Sequence, residues 1–142
     1  MRSGRASTTR VTAIEMEWKP ISEAQVLDLI NESRKRMNPL ERRFWDAISF
    51  HPEKWQQHPY GASGSGFWAV AVIGRTVVWY NDIEHGFNRS QYLKFGQIPQ
   101  DGYWCNQDDL EVQIKQLMDF VATGRDAAGR FGPPQAGEYP SR

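Results

Sequence analysis

The sequence predicts an α+β domain: an antiparallel sheet built on a central hairpin and packed by helices. Three observations carry this reading. Residues Gly66 to Ile83 hold two runs rich in Val, Ile and aromatics, parted by Gly74-Arg75. Apolar residues recur at helical spacing behind capping signals before and after that hairpin. The element order (helix, helix, hairpin, strand, helix) lacks the alternating strands and crossover helices of a doubly wound parallel sheet.

The first helix is predicted over about 23–36. Ser22 suits the N-cap and Gln25 the answering position of a capping box, while Ile21 and Val26 match a hydrophobic staple. Val26, Leu29, Ile30, Ser33 and Met37 follow helical spacing. A second helix is predicted over 39–48. Asn38 caps it, Pro39 takes the first helical position and Glu41 places an acid in the first turn. Leu40, Phe44, Ala47 and Ile48 form its apolar stripe. His51-Pro52 ends it, and residues through Gly66 read as irregular.

The hairpin spans about 66–83. Gly in the first central position suits a type II′ turn, whose twist matches the flanking strands. In that register Ile73 opposes Thr76 and Val72 opposes Val77, and opposed residues share a face. One face then carries Trp68, Val70, Val72, Val77 and Trp79 and is expected to meet the helices. The other carries Phe67, Ala69, Ala71, Ile73, Thr76, Val78, Tyr80 and Asp82 and is expected to remain open to a partner. Glu84 to Asn88 reads as a loop. A third strand is predicted near 91–98, broken at Gly96. The last helix is predicted over about 107–122, capped by Asn106, with Cys105 and Leu110 at the staple positions. Leu110, Ile114, Leu117, Met118 and Val121 form its stripe, and Gly124 suits a left-handed stop.

At 142 residues one domain is expected, over 17–123. Met1 to Thr12 holds Arg2, Arg5 and Arg10 without an acid or an apolar core, so residues 1–16 read as a disordered basic extension and not a secretory leader. Residues 124–142 are an irregular Gly/Pro-rich tail. Lys plus Arg equals Asp plus Glu at 17 each. That balance argues against a dedicated duplex nucleic-acid binder. A weaker nucleic-acid accessory role would use the basic N-terminus and the aromatics. No apolar run approaches the ~20 residues of a membrane span. The single cysteine, Cys105, permits no intrachain disulfide, which suits a reducing, cytoplasmic setting.

Candidate chemistry is sparse. Asp82 and Glu84, two apart at a strand end beside His85, could act as paired carboxylates; the plainer reading is a polar strand end. Cys105 near a helix start could be an activated thiol; the plainer reading is a small inert hydrophobe. His51, His58 and His85 lack metal-ligand spacing, so no metal or cofactor is expected. The Ala62–Gly66 run precedes a strand, unlike a phosphate loop. Aromatics make up 13% of the chain, more than a small core readily hides, and Tyr and Trp favour half-wet positions. A contact patch is therefore expected around Tyr80, Asp82, Glu84, Phe87, Asn88, Arg89 and Tyr92.

From about Trp18 to Thr123 the arrangement resembles the SUKH superfamily. The resemblance rests on the helix from Glu23, Pro39-x-x-Arg42-x-Phe44-Trp45, Gly64-Ser65-Gly66 ahead of the Trp68–Ile73 strand, and the helix after Asn106. It implies an α+β binding module without catalysis or cofactor, of the kind found in bacterial toxin-immunity proteins and a yeast cell-wall regulator. The expected function is thus a non-enzymatic binding or regulatory domain with a protein partner. The alternative is a small hydrolase using Asp82, Glu84 and His85, or Cys105.

Overall fold

The computed structural model describes residues 19–126. The expected basic extension lies outside the described residues, as does the tail from residue 127 onward. Within them the fold is α+β, with a four-stranded antiparallel sheet in the order β1-β2-β3-β4. Its elements are α1 (Glu23–Arg36), α2 (Pro39–Ile48), β1 (Ser49–Trp55), β2 (Phe67–Ile73), β3 (Thr76–Asn81), β4 (Gly86–Gln91) and α3 (Leu110–Thr123).

Both early helices start as their caps dictate. Ser22 Oγ accepts from the Gln25 N–H at 3.1 Å, and Gln25 Oε1 accepts from the Ser22 N–H at 3.0 Å. Asn38 and Glu41 repeat the exchange at 2.8 and 2.9 Å. Each box satisfies two backbone donors that the first helical turn leaves over. Arg42 then reaches back, donating to the Arg34 and Lys35 carbonyls at the end of α1 (2.9 and 3.0 Å). These two bonds tie the start of α2 to the end of α1 across the short link. The α2 stripe is rotated from the expected one: Leu40 is 63% exposed and Ala47 is exposed, while Trp45 is buried among Phe44 and Ile48. The capping role of Glu41 explains the offset, because it turns that side chain inward, where it is 5% exposed.

Three strand expectations are corrected. Residues 49–55 form an edge strand where an irregular stretch was expected. Pro52 is tolerated because an edge strand has one row of N–H groups outside the ladder, and the β1–β2 register shifts between Ser49 and Glu53. The third hairpin-side strand is Gly86–Gln91, not 91–98, and it pairs along its length with β3, from Asn81↔Gly86 to Thr76↔Gln91. Last, the expected faces hold only ahead of a bulge: Trp68 and Val70 meet the helices as expected, whereas Val72, Val77 and Trp79 lie behind the sheet. Ile73↔Thr76 and Val72↔Val77 hold as expected, but Val70 is an extra residue between Ala69↔Trp79 and Ala71↔Val78. A bulge of this kind flips the alternation beyond it. Gly74 supplies the turn with φ 58°, and Arg75 is not in the left-handed region, as a type II′ reversal requires.

The sheet is therefore covered on both sides. Toward the helices lie Val70, Ala71, Val78, Tyr80 and Phe87, packed with Val26, Ile30, Trp45, Leu110, Ile114 and Leu117. Behind the sheet lie Trp55, Phe67, Ala69, Val77, Trp79 and Ile98, closed over by Tyr92 and Tyr103 from the connections. Trp79 and Trp55 are fully buried there; truncating a residue of this kind costs ~3–5 kcal/mol. The N-cap position of the last helix is Asp109, three residues beyond the expected Asn106, and its side chain makes no capping hydrogen bond. It ends at Gly124, with φ 77° and its N–H donating to the Phe120 carbonyl at 2.7 Å.

Asn106 has another task. Its N–H donates to Asn88 Oδ1 at 2.9 Å, and Asn88 Nδ2 donates to its carbonyl at 3.2 Å. The Phe87 N–H donates to the Asp108 carbonyl at 2.8 Å. Residues 106–108 thus run as a short extra rung beside β4. Gly86 permits that approach, because a Cβ there would lie 2.1 Å from the Asn106 carbonyl oxygen.

Candidate functional site

The β3–β4 turn organises the region. Asn81, at the end of β3, uses its whole carboxamide. Nδ2 donates to the Tyr103 hydroxyl and the Trp104 carbonyl, both at 2.9 Å. Oδ1 accepts from the Ile83 and Glu84 N–H groups at 3.0 and 3.2 Å, an Asx-type turn. A buried Asn with two donors and two acceptors engaged is fully satisfied, so the turn is rigid at its root. It closes through His85, which adopts φ 62° and donates its N–H to the Asn81 carbonyl at 2.8 Å.

Two surfaces flank this turn. On the side of the rear core is an aromatic shelf. Tyr103 lies 5.9 Å from Trp79 and 6.0 Å from Phe67, and Tyr60 stacks on Tyr103 at 4.2 Å. Tyr60 is 50% exposed, Trp104 37% and Ile83 36%. Burial pushes the Tyr103 phenol up, against the hydrogen bond from Asn81. On the helical side is a cleft of about 370 Å³ between α1, the turn and the start of α3. Leu29, Tyr80 and Phe87 contribute its apolar wall, and Arg36, Asp108 and Asp109 part of its rim. A wider depression of about 750 Å³ lies on the outer face of α1 and α2. Its lining is charged and internally paired, with Arg34 on Asp46 at 2.6 Å and Lys35 on Glu32 at 3.1 Å, so it lacks an apolar floor and is a solvated surface.

The expected patch residues are dispersed across these environments. Tyr80, Asp82, Phe87, Asn88 and Arg89 are all buried, so they form no open face: Tyr80, Phe87 and Arg89 lie on the helical side of the sheet, and Asn88, opposite Trp79, lies behind it. Asp82 Oδ2 accepts from the Ile21 N–H at 2.8 Å, while Trp68 Nε1 donates to the Ile21 carbonyl at 2.9 Å. Asp82 therefore pins the approach to α1. Nearby, Lys54 donates to the Gly64 carbonyl at 2.8 Å and stands 4.9 Å over the Trp68 ring; burial pushes its pKa down and Asp82 partly opposes this. Asn88 holds the 106–108 rung. Arg89 forms a fully buried pair with Asp126 and also donates to Gln113 and Gln116 of α3. Tyr92 packs edge-on against Trp55 at 5.1 Å and donates its hydroxyl to the Gly74 carbonyl at 3.0 Å. Glu84 alone stays beside a contact surface, half-buried near Tyr103.

The hydrolase constellations are not assembled. Asp82 acts on Lys54 and Tyr80, whereas Glu84 acts on Tyr103, so the two carboxylates face different neighbours. Cys105 is exposed and lies five positions before the first residue of α3, so neither the staple position nor a helix-activated thiol describes it. Among the described residues no group of three or more His, Cys, Asp or Glu side chains could hold a metal ion, and no helix is long and apolar enough to cross a membrane. Comparison of the chain with protein-family models, with curated proteins and with solved structures finds no match.

Sequence reasoning missed Tyr60, Ile83, Trp104 and Asp109 as surface-forming residues. The usable signal was Asn81 followed by a short turn: an Asn at a strand end commonly hydrogen-bonds the backbone two residues on and so presents the residues after it.

Proposed function

We propose that this chain is a non-enzymatic protein-binding domain acting in the cytoplasm, with the aromatic shelf at the β3–β4 turn as its contact surface. The observation that carries the reading is the exposure of Tyr60, Ile83 and Trp104 around the rigid Asn81–Tyr103 anchor. Large aromatic side chains on a pre-organised scaffold lose little conformational freedom on binding, and they dominate protein interfaces. The resemblance to the SUKH superfamily points the same way, toward an immunity-like regulator that captures another protein. The separation of Asp82 from Glu84 weighs against the hydrolase alternative.

The test is capture of a partner from lysate of the source cells, its identification, and remeasurement of affinity with purified variants. Trp104→Ala and Tyr60→Ala should each weaken binding by about tenfold or more, the effect of removing an interface anchor. Glu84→Ala and Cys105→Ala should leave it within about threefold, as for peripheral contacts. Unchanged affinity in both shelf variants, with their unfolding midpoints preserved, would remove the shelf from function. Turnover of a substrate that is abolished by Cys105→Ala would establish the enzyme reading instead.

A further inference from the structure

We infer that residues 14–18 of this chain lie over the aromatic shelf until a partner displaces them, a built-in competitor for the contact surface; the competition rests on the protein-binding reading above. The segment reads Ile14-Glu15-Met16-Glu17-Trp18 and falls just outside the described residues. Apolar and acidic side chains alternate along it. An extended chain therefore sets Ile14, Met16 and Trp18 on one side and Glu15 and Glu17 on the other. Such a ribbon can lay its apolar side on a half-exposed aromatic surface and keep its carboxylates in water.

The place where the described chain starts brings this segment to the shelf. The Ile21 N–H donates to Asp82 Oδ2 at 2.8 Å, and the Ile21 carbonyl accepts from Trp68 Nε1 at 2.9 Å. The chain is thus tied to the residue that precedes Ile83, itself 36% exposed. Lys19 and Pro20 are exposed and belong to no element, and a residue before proline favours extended backbone. An extended chain spans at most ~3.3–3.6 Å per residue, so Trp18 is within ~11 Å of Ile21 and Ile14 within ~25 Å. The shelf lies inside that radius. Asn81 reaches the Tyr103 hydroxyl and the Trp104 carbonyl at 2.9 Å, and Tyr60 stacks on Tyr103 at 4.2 Å. A short tether holds its segment at a millimolar effective concentration, enough for a weak apolar contact to form.

The C-terminal tail is worse placed. It follows Asp126, whose carboxylate is buried against Arg89. Arg89 is three residues along β4 from Gly86, ~10 Å from the turn, and the sheet stands between it and the shelf.

The experiment is measurement of proton–proton Overhauser contacts in the isotope-labelled full chain. Contacts from the Ile14, Met16 and Trp18 side chains to those of Tyr60, Ile83 and Trp104 are expected, unchanged on dilution. Ile14→Ser/Met16→Ser/Trp18→Ser should shift the Ile83, Tyr103 and Trp104 amide signals, and Glu15→Ser/Glu17→Ser should leave them in place. The inference is overturned if these contacts are absent, if they come instead from Phe131 or Tyr139 of the tail, or if they vanish on dilution and join differently labelled copies. Partner capture separates this inference from the reading it rests on. A cover that leaves about a tenth of the molecules open lowers apparent affinity about tenfold, so the triple variant should bind the partner about tenfold more tightly. Affinity lost in Trp104→Ala yet equal in the triple variant and the parent would sink the competitor and leave the contact surface standing. Affinity indifferent to both would sink the protein-binding reading and the competitor with it.

Discussion

Replacing Asp126 with Leu removes one half of the most deeply buried charge pair in the described residues. Both side chains, Arg89 and Asp126, have no exposed surface. Arg89 sits in the middle of β4, opposite Val78, so it cannot swing into water without unpairing the sheet. A guanidinium cannot shed its charge by deprotonation. The Asp126→Leu protein must therefore keep the buried Arg89 cation without this carboxylate, beside the neutral carboxamides of Gln113 and Gln116. Breaking one side of such a pair costs ~3–5 kcal/mol. With a urea slope of ~1–3 kcal/mol/M, the unfolding midpoint should fall by ~1 M or more. The double variant Arg89→Met/Asp126→Leu removes both charges, and apolar replacement of a buried pair is often close to neutral. It should recover ~2 kcal/mol or more of the loss, a coupling far beyond the few tenths expected of independent sites. Urea melts of the four proteins close the cycle. A loss under ~1 kcal/mol for Asp126→Leu, or simple additivity in the double variant, would refute the premise that this carboxylate neutralises Arg89.

Two further outcomes follow from close packing and from ionisation. Gly86→Ala drives a Cβ to within 2.1 Å of the Asn106 carbonyl oxygen, a backbone atom that cannot rotate away; a loss of ~1–3 kcal/mol or more is expected. Hydrogen exchange at the Phe87 amide, which bonds Asp108, should quicken, and unchanged protection with an unchanged melting temperature would show that the 106–108 rung does not lie against β4. Burial alone would raise the Glu111 carboxyl, but hydrogen bonds from Arg36 and Ser33 outweigh it and hold the group below the usual glutamate range. Because the folded value is the lower one, the Arg36–Glu111 tie between α1 and α3 contributes above the unfolded-state value. That contribution is lost as pH falls through the folded value. Arg36 is half exposed, so Glu111→Gln should cost only ~0.2–1 kcal/mol at neutral pH and nothing at the acid end, measured by urea melts across that range; a cost independent of pH would refute the linkage.

What the sequence revealed was local. The Ser22–Gln25 and Asn38–Glu41 boxes act over three residues, and Gly74 acts within a two-residue turn, so their chemistry is visible without knowing the fold. What it concealed depends on partners far along the chain. Residues 49–55 have weak strand character, yet they pair with β2 because an edge position accepts Pro52. The β4 run Gly86-Phe-Asn-Arg-Ser-Gln reads as a polar loop, but Asn88, Arg89 and Ser90 are buried because Asn106, Asp126 and Trp79 satisfy them. Single-residue insertion at Val70 leaves no mark in composition, yet it sets Trp68 and Val70 on the helical side and Val72 behind the sheet. Tyr80 and Phe87 were legible as important aromatics, but their burial under the helices was not.

The rear aromatic layer has a practical consequence for anyone modifying this molecule. Its roof is made of connecting segments, with Tyr60, Tyr92, Ile98 and Tyr103 supplied from between strands and helices. Shortening or splicing those connections would strip the sheet of half its cover. The Gly74-Arg75 tip is different: both residues are solvent-facing, and while φ 58° reserves position 74 for glycine, Arg75 is outside the left-handed region. A fluorophore, affinity handle or new chain terminus belongs there, remote from both surfaces beside the opposite turn.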